Sequence, residues 1–318
     1  MRKQPFPEVR GRPPFTPSLV LLVGVCAVST GALFVRLADA SPLVVAAYRT
    51  GLAFLVLAPA AWIKARREII SLSRDCVILT VVSGFFLAVH FAAWITSLSY
   101  TSVACSVVLV NTSPLWVAFM APFLTGETIG KARAAGIAAS VLGAGLIGGA
   151  DMAGDGRALF GDVLAAAGGI AMAVYLLLGS RLRRELSLLT YVTLCYGASA
   201  IFLWVVVLAA GLPFIGLSPH TYAAMVSLAV VSQLVGHSCY NWSLKWLSTS
   251  MVAVSLLGEP IGSTILAFIV FGEGLSLLKA AGGTLIMAGI YTASSTEKEH
   301  STAGAAGKFK VPRDPGAG

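Results

Sequence analysis

Charged residues are scarce in this sequence. Only 11% of its 318 residues are Asp, Glu, Lys or Arg and 57% are apolar, whereas an average soluble domain is about 25% charged. The five cysteines are odd in number and form no Cys-x-x-Cys pair, so neither a disulfide framework nor a zinc site is indicated. The patterns His-Glu-x-x-His and Gly-x-Ser-x-Gly and the P-loop are also missing, which argues against the enzyme classes that carry them.

The apolar residues occur in long runs, such as Leu19–Val35 and Val77–Ile95. About 20 such residues in a helix cross the hydrocarbon core of a bilayer. The sequence therefore predicts an all-α integral membrane protein, with a disordered head (1–17), a first five-helix unit (18–150), a second (160–294) and a disordered tail (295–318). The ten predicted spans are 19–38, 42–63, 76–98, 102–124, 131–150, 160–180, 189–211, 221–244, 248–271 and 277–294.

The net charge of +8 is explained by the placement of the basic residues. If the N-terminus lies in the cytoplasm, 18 of the 22 Lys and Arg residues fall in the cytoplasmic head, connections and tail. This asymmetry is the positive-inside pattern. It predicts a multi-pass protein of the cell membrane with both termini cytoplasmic, and it gives no reason to expect a nucleic-acid partner. Ala38-Asp39-Ala40 also resembles a signal-peptide cleavage site, but cleavage there would remove the first span.

An internal repeat organises the chain. With an offset of 146 residues, positions 97–145 align on 243–291 without a gap, and twelve of the 49 pairs are identical, including Pro114 with Pro260. Because each unit holds five spans, the second unit must enter the membrane from the opposite side. The sequence therefore predicts two inverted five-helix repeats, an arrangement that places a solute site near the midplane at the repeat interface.

Several motifs resemble those of the drug/metabolite transporter superfamily, EamA type. They are Ala46-Ala47-Tyr48-Arg49, Asn111-Thr112-Ser113-Pro114, Gly126-Glu127, Gly161-Asp162, and Glu259-Pro260 followed by Gly272-Glu273. The resemblance covers residues 19–294 and lacks only the Trp-Gly pair that is common in the family's first span. It implies ten helices, a central cavity and transport of small metabolites, often by export.

Polar residues inside spans are candidates for the solute site, because a charge at the bilayer centre costs about 2.5–3.5 kcal/mol on insertion scales. Helical spacing places His90 with Trp94, and Gln233 with His237 and Tyr240, on one face of their spans. Interhelical hydrogen bonding is the alternative role for each of them. The predicted substrate-binding residues are His90, Trp94, Asn111, Tyr175, Gln233, His237, Tyr240 and Glu259.

Two prolines and three glutamates have distinct predicted roles. Pro114 and Pro260 are expected to break their helices at equivalent places in the two units. Glu127 and Glu273 precede the next span and are predicted to be structural acids at helix N-termini. Glu259 lies in mid-span, where desolvation favours exchange of a proton, although a structural pair with Arg49 or His90 is the alternative.

The sequence therefore predicts a secondary transporter of small metabolites that alternates access around a midplane cavity. Amino acid or related solute export is one form of this hypothesis. A channel-like facilitator and a membrane-embedded enzyme are the alternatives, neither of which has a supporting motif. The predicted partners are the lipid bilayer and a small-molecule substrate, with proton or cation coupling and a homodimer left open. No cofactor or metal is expected.

Overall fold

A computed structural model describes residues 13–101, 103–124, 129–149, 156–272 and 277–306, and every regular element within them is helical. The α-helices are α1 (Pro17–Ser29), α2 (Gly31–Leu37), α3 (Pro42–Lys64), α4 (Arg66–Ile70), α5 (Arg74–Ser97), α6 (Val103–Val110), α7 (Ser113–Leu124), α8 (Lys131–Gly149), α9 (Gly156–Glu185), α10 (Leu188–Ala209), α11 (Pro219–Ser227), α12 (Ser238–Ser243), α13 (Thr249–Leu256), α14 (Glu259–Phe271) and α15 (Leu277–Ala306). A π-helix, Leu228–His237, joins α11 to α12.

Eight helical segments in the described part of the chain are long and apolar enough to cross a membrane. They are Pro17–Leu37, Pro42–Lys64, Arg74–Ser97, Ser106–Leu124, Arg157–Glu185, Leu188–Ala209, Pro219–Ser243 and Thr249–Phe271. These segments correspond to eight of the ten predicted spans. The other two predicted spans fall on α8 and α15, and the apolar part of α15 is the shorter stretch Ala280–Thr292.

Two helices extend beyond their predicted ends. Helix α9 continues to Glu185 rather than ending near residue 180. The Arg and Leu residues after Gly179 are good helix formers. Helix α15 continues to Ala306, so the first part of the predicted disordered tail has a helical backbone. The Glu, Lys and Ala residues in that stretch are good helix formers. Residues 1–12 of the predicted head and 307–318 of the predicted tail lie outside the described residues.

The outer surface of the helical bundle is apolar. Large side chains such as Ile63, Phe123 and Ile269 are between 68% and 80% exposed, although a soluble monomer rarely leaves such a continuous apolar surface in water. Hydrocarbon chains of a bilayer are a compatible environment for this surface. Burial and hydropathy therefore agree on a multi-pass membrane protein.

The interior is formed by helices from both halves of the chain. Helices α3 and α5 pack along α10, and α5 also packs along α9. Helix α1 packs against the π-helix, α12 and α14, while α8 pairs along its length with α15. A ring of helices therefore surrounds a central space, and each half of the chain contributes to its wall.

Two helices are interrupted at equivalent places in the repeat. Helix α6 ends at Val110 and α7 begins at Ser113, while α13 ends at Leu256 and α14 begins at Glu259. The two interruptions are 146 residues apart. Pro114 and Pro260 are each the second residue of the following helix, where the missing N–H of proline leaves no hydrogen bond unmade. Glu127 and Glu273 lie outside the described residues.

Glycines permit close helix packing at related positions. A Cβ atom at Gly24 would lie 2.9 Å from the Tyr240 ring, and one at Gly168 would lie 3.4 Å from the Trp94 backbone nitrogen. Trp94 and Tyr240 are mates under the 146-residue offset. The first helix of each half therefore packs closely on the third helix of the other half.

The closest glycine contact between α5 and α10 provides a test of this packing. A Cβ atom at Gly84 would lie 2.6 Å from the Ala198 Cβ atom and 2.7 Å from the Cys195 carbonyl oxygen, whereas one at Gly145 would meet nothing within 4 Å. We expect Gly84→Val to destabilise the protein by about 1–3 kcal/mol through overpacking. Thermal unfolding in detergent should show a lower midpoint for Gly84→Val and an unchanged midpoint for Gly145→Val. Equal midpoints for the two variants would contradict the packing.

Candidate functional site

A small cavity lies at the centre of the bundle, next to both helix interruptions. Six of the eight predicted substrate-binding residues line it, and they are His90, Trp94, Asn111, His237, Tyr240 and Glu259. Arg49 and Phe91 also line it, together with aliphatic side chains from α1, α6, α9 and α13. The cavity therefore combines two groups of opposite charge with aromatic walls.

Arg49 is the most deeply buried charged group of this cavity, with 2% of its surface exposed. Its Nε atom donates a hydrogen bond of 2.8 Å to Gln233 Oε1. Its guanidinium carbon lies 3.9 Å from the centroid of the Phe91 ring, in cation–π contact. Phe91 and Gln233 thus fix the plane and one edge of the guanidinium group.

Arg49 is only seven residues, about 10 Å, into α3. Its depth along the helix alone gave no reason to expect it at the cavity, and its side-chain packing decides its position. The Tyr48 hydroxyl donates a hydrogen bond of 2.8 Å to the Phe214 carbonyl oxygen, and the Tyr48 ring packs on Trp204 and Tyr222. This aromatic group packs on the N-terminal part of α3, and the neighbouring residue Arg49 lines the cavity.

Glu259 is the first residue of α14, where the partial positive charge of a helix N-terminus favours a carboxylate. The mid-span position predicted from the sequence is therefore also a helix start, next to the predicted break at Pro260. Glu259 Oε2 accepts a hydrogen bond of 3.3 Å from Asn111 Nδ2, and Asn111 also donates to the Val107 carbonyl oxygen. The Asn111–Glu259 bond joins the two helix interruptions directly.

Arg49 and Glu259 line the same cavity without forming a direct ion pair; each instead has its own neutral hydrogen-bond partner. Their charges attract through a medium of lower polarity than water, where the interaction is stronger than at a surface. The cavity therefore has a positive side and a negative side. Its volume of about 20 Å³ has room for about one water molecule, so a larger solute would require the surrounding helices to move apart.

The two predicted histidines lie side by side, with ring centroids 6.2 Å apart. His90 Nδ1 is 3.0 Å from the Gly168 carbonyl oxygen. Because a carbonyl can only accept, we assign the proton to Nδ1, which leaves Nε2 of the neutral ring as an acceptor. The His90 ring also stacks on Trp94, with an interplanar angle of 8°.

Several polar atoms around the cavity have no hydrogen-bond partner among the described residues. They are Trp94 Nε1, Gln233 Nε2, His237 Nδ1 and Tyr240 OH. Buried polar atoms in proteins are nearly always hydrogen-bonded, and an unsatisfied one costs about 1–3 kcal/mol. Similar atoms occur elsewhere in the described interior, for example Thr193 Oγ1 and Ser199 Oγ, so these four show unused hydrogen-bonding capacity around the cavity.

The remaining two predicted residues, Tyr175 and Gln233, lie behind the cavity wall. Gln233 holds Arg49, as described above. Tyr175 accepts a hydrogen bond of 2.6 Å from Asn241 Nδ2, and its ring packs near His237. Both residues support lining residues rather than lining the cavity themselves. The signal that could have identified Arg49 is the one that identified Glu259, namely a charge inside a span.

Contacts between the two halves close the bundle at the other end of α3 as well. Glu68 Oε1 accepts a hydrogen bond of 2.7 Å from the Ser187 backbone nitrogen. Partial burial alone would raise the pKa of Glu68, but the hydrogen bonds from Ser187 and Thr190 and the positive charge of Arg183 together hold the pKa below its ordinary value. Deeper in the bundle, Ser83 Oγ and the Tyr191 hydroxyl share a hydrogen bond of 2.8 Å.

Among the residues that the structure describes, no group of three or more His, Cys, Asp or Glu side chains could hold a metal ion.

Comparison with known proteins gives a consistent result. The EamA-like transporter family matches the chain twice, over residues 15–149 and 159–295. A protein of Archaeoglobus fulgidus named as an uncharacterized transporter is 27% identical over 272 residues, which cover 84% of this chain and 91% of that protein. The uncharacterized transporter YyaM of Bacillus subtilis is 24% identical over 209 residues, or 64% of this chain and 68% of its own. One solved crystal structure shares the fold, with a TM-score of 0.73 over 89% of this chain and 98% of its own, at 19% identity.

Two tyrosine hydroxyls in the interior should respond differently to removal. The Tyr240 hydroxyl has no hydrogen-bond partner within the described part of the chain, whereas the Tyr191 hydroxyl is bonded to Ser83. We expect Tyr191→Phe to lower stability by about 1–3 kcal/mol, because Ser83 loses its bond. Tyr240→Phe should leave the thermal midpoint in detergent unchanged or raise it. A loss of stability in Tyr240→Phe as large as that in Tyr191→Phe would contradict an unsatisfied hydroxyl at the cavity.

Proposed function

Since the chain belongs to the EamA-like transporter family, we propose that it is a secondary carrier of small metabolites that alternates access around the central cavity. The observation that carries the proposal is the origin of the cavity lining. Arg49, His90 and Asn111 come from the first matched repeat, whereas His237 and Glu259 come from the second. Relative motion of the two repeats would open such a cavity first to one side of the membrane and then to the other.

We propose that the protein lies in the cell membrane, plasma or inner, as ten spans in two inverted repeats. Both termini would be cytoplasmic. The distribution of Lys and Arg supports this orientation. The equivalent interruptions before Ser113 and Glu259 support the repeat. Helices α8 and α15 would then be the fifth and tenth spans, packed together at the edge of the bundle.

Alternating access requires contacts that can open on each side of the cavity in turn. On the proposed outer side, the Tyr48 hydroxyl bonds to the Phe214 carbonyl oxygen, which joins the two repeats. On the proposed inner side, Glu68 bonds to the Ser187 nitrogen, which also joins the two repeats. Each bond is a single contact near the surface, so its loss is small compared with the burial of the helices. We propose that one set separates while the other is closed.

Glu259 is the candidate coupling residue of this carrier. It is 9% exposed and lines the cavity. It begins α14 directly after the interruption between α13 and α14. A carboxylate in such a site can become neutral by taking up a proton. The equivalent position in the first repeat is Ser113, so only the second repeat has an acid there. One acid would therefore couple flux to protons, or to a cationic group of the solute.

The proposed orientation can be tested by cysteine labelling in a variant without native cysteines. Ile215, between α10 and α11, is 73% exposed, and Arg67 in α4 is also exposed. We expect an impermeant thiol reagent to label Ile215→Cys in intact cells. Arg67→Cys should react only after the membrane is permeabilised. Labelling of Arg67→Cys in intact cells would overturn the orientation.

The carrier function can be tested by flux measurements with proteoliposomes. For a solute that stabilises the purified protein in a metabolite screen, we expect flux to saturate with concentration, because each transport cycle occupies one site. Glu259→Gln preserves the size of the side chain and its hydrogen bonding to Asn111, so it should keep the thermal midpoint and lose the pH-dependent part of the flux.

Glu185→Gln is the matched control, because Glu185 is exposed and lies away from the cavity. It should retain the wild-type pH profile. Flux through Glu259→Gln with an unchanged pH profile would remove Glu259 from the coupling mechanism. Flux that rises linearly with solute concentration would favour a channel over a carrier.

A further inference from the structure

The guanidinium group of Arg49 is only partly used by the protein. Its Nε atom donates to Gln233, and Phe91 covers one face. The two terminal nitrogens have no hydrogen-bond partner among the described residues, although Arg49 is almost completely buried. A guanidinium whose role was only structural would be expected to use these donors within the protein. The unused edge therefore points to a ligand.

The chemistry of that edge selects the ligand class. The two terminal nitrogens of a guanidinium group present parallel donors in one plane, which match the two oxygens of a carboxylate. Arg49 is the one permanently charged cation among the described residues that line the cavity. A dianionic phosphate group would be left with an excess of negative charge there, because Glu259 is close by.

We propose that Arg49 is the solute-binding cation of this carrier and that it takes a carboxylate group of the solute on its two terminal nitrogens. The proposal rests on the proposed carrier function and adds the chemical class of the solute to it. Gln233 and Phe91 are positioning residues in this scheme, because they hold the guanidinium without facing the solute carboxylate themselves.

Charge balance then assigns a second role to Glu259. In the empty cavity the charges of Arg49 and Glu259 cancel. A bound carboxylate adds a negative charge in a region where a net charge is unfavourable. The other ionisable groups that face Glu259 across the cavity are His90 from α5, His237 from the π-helix and Tyr240 from α12. None of these carries a permanent positive charge.

The missing positive charge has two chemical sources. The solute can supply an ammonium group, which would lie against Glu259, whose Oε1 atom has no hydrogen-bond partner among the described residues. Alternatively, Glu259 can take up a proton when a solute with a carboxylate alone binds. Both sources keep the occupied cavity neutral, and both leave the carboxylate on Arg49.

The binding of matched solute pairs tests the carboxylate directly. Each probe is a carboxylate paired with the amide in which an uncharged CONH2 group replaces the carboxylate. The pairs are L-alanine with L-alaninamide, L-phenylalanine with L-phenylalaninamide, and lactate with lactamide. We expect carboxylates that raise the thermal midpoint of the purified protein to bind at least about tenfold more tightly than their amides, because two charge-assisted hydrogen bonds are lost. Equal binding of the pairs, or no carboxylate-specific stabilisation in the panel, would overturn the proposal.

Variants connect this preference to Arg49. Arg49→Lys keeps the charge and loses the paired donors, so we expect it to weaken carboxylate binding at least about tenfold with little change for amides. Arg36→Lys is the control, because Arg36 is exposed and contacts Phe271 rather than the cavity. If Arg49→Lys does not fold, Gln233→Leu, which removes the acceptor for Nε, should reduce the same preference. A carboxylate preference that persists in a folded Arg49→Lys protein would also overturn the proposal.

Proton uptake separates the two sources of positive charge. In weakly buffered solution with a pH indicator, binding of lactate should take up about one proton per site, whereas binding of L-alanine or L-phenylalanine should take up none. The uptake should be absent in Glu259→Gln. Lactate binding without proton uptake by the wild-type protein would contradict the charge balance at Glu259.

Failure of this proposal and failure of the carrier function have different signatures. Saturable flux of solutes without a carboxylate preference would retain the carrier and remove the role of Arg49. Carboxylate binding without saturable flux would retain the Arg49 site and remove the carrier function.

Discussion

A guanidinium group in the middle of an apolar helical bundle is the constraint on which the rest of the structure depends. Arg49 is almost completely buried, so its charge must be compensated inside the protein. Gln233 accepts one hydrogen bond from the guanidinium group and Phe91 covers one of its faces, while Glu259 supplies the opposite charge without contacting it. The two terminal nitrogens are therefore left for a solute. A direct ion pair would occupy both groups and leave neither available to a solute.

The interrupted helices explain how such a polar centre is compatible with a membrane. A continuous helix would satisfy its own backbone and would present only side chains to the centre. The interruptions before Ser113 and Glu259 instead bring a helix N-terminus into the middle of the bundle in each repeat. At the second of these, the carboxylate of Glu259 lies where the helix dipole favours it. The bond from Asn111 to Glu259 then connects the interruptions across the repeat interface.

The sequence predicted this centre unevenly, for physical reasons. Polar side chains in long apolar runs are conspicuous, so His90, Asn111 and Glu259 could be identified without coordinates, and a proline beside two of them marked the interruptions. Arg49 was not among the predicted binding residues, because its position along α3 gave no reason to expect it at the cavity, whereas its burial depends on tertiary contacts with Gln233 and Phe91. The π-helix that carries Gln233 was not foreseen either. Its wider hydrogen-bond spacing changes side-chain directions, and Gln233 lies behind Arg49 instead of in the wall.

Exchange across the membrane tests the central claim, that one cavity serves both sides in turn. Proteoliposomes containing the protein would be loaded with an unlabelled carboxylate solute that the purified protein binds, and entry of the same labelled solute would be measured. Alternating access predicts that the internal solute accelerates the initial entry of label. Internal solute binds the inward-facing carrier, and the loaded carrier returns to the outward-facing state faster than an empty one. An initial entry rate that is unaffected by the internal solute would contradict the account.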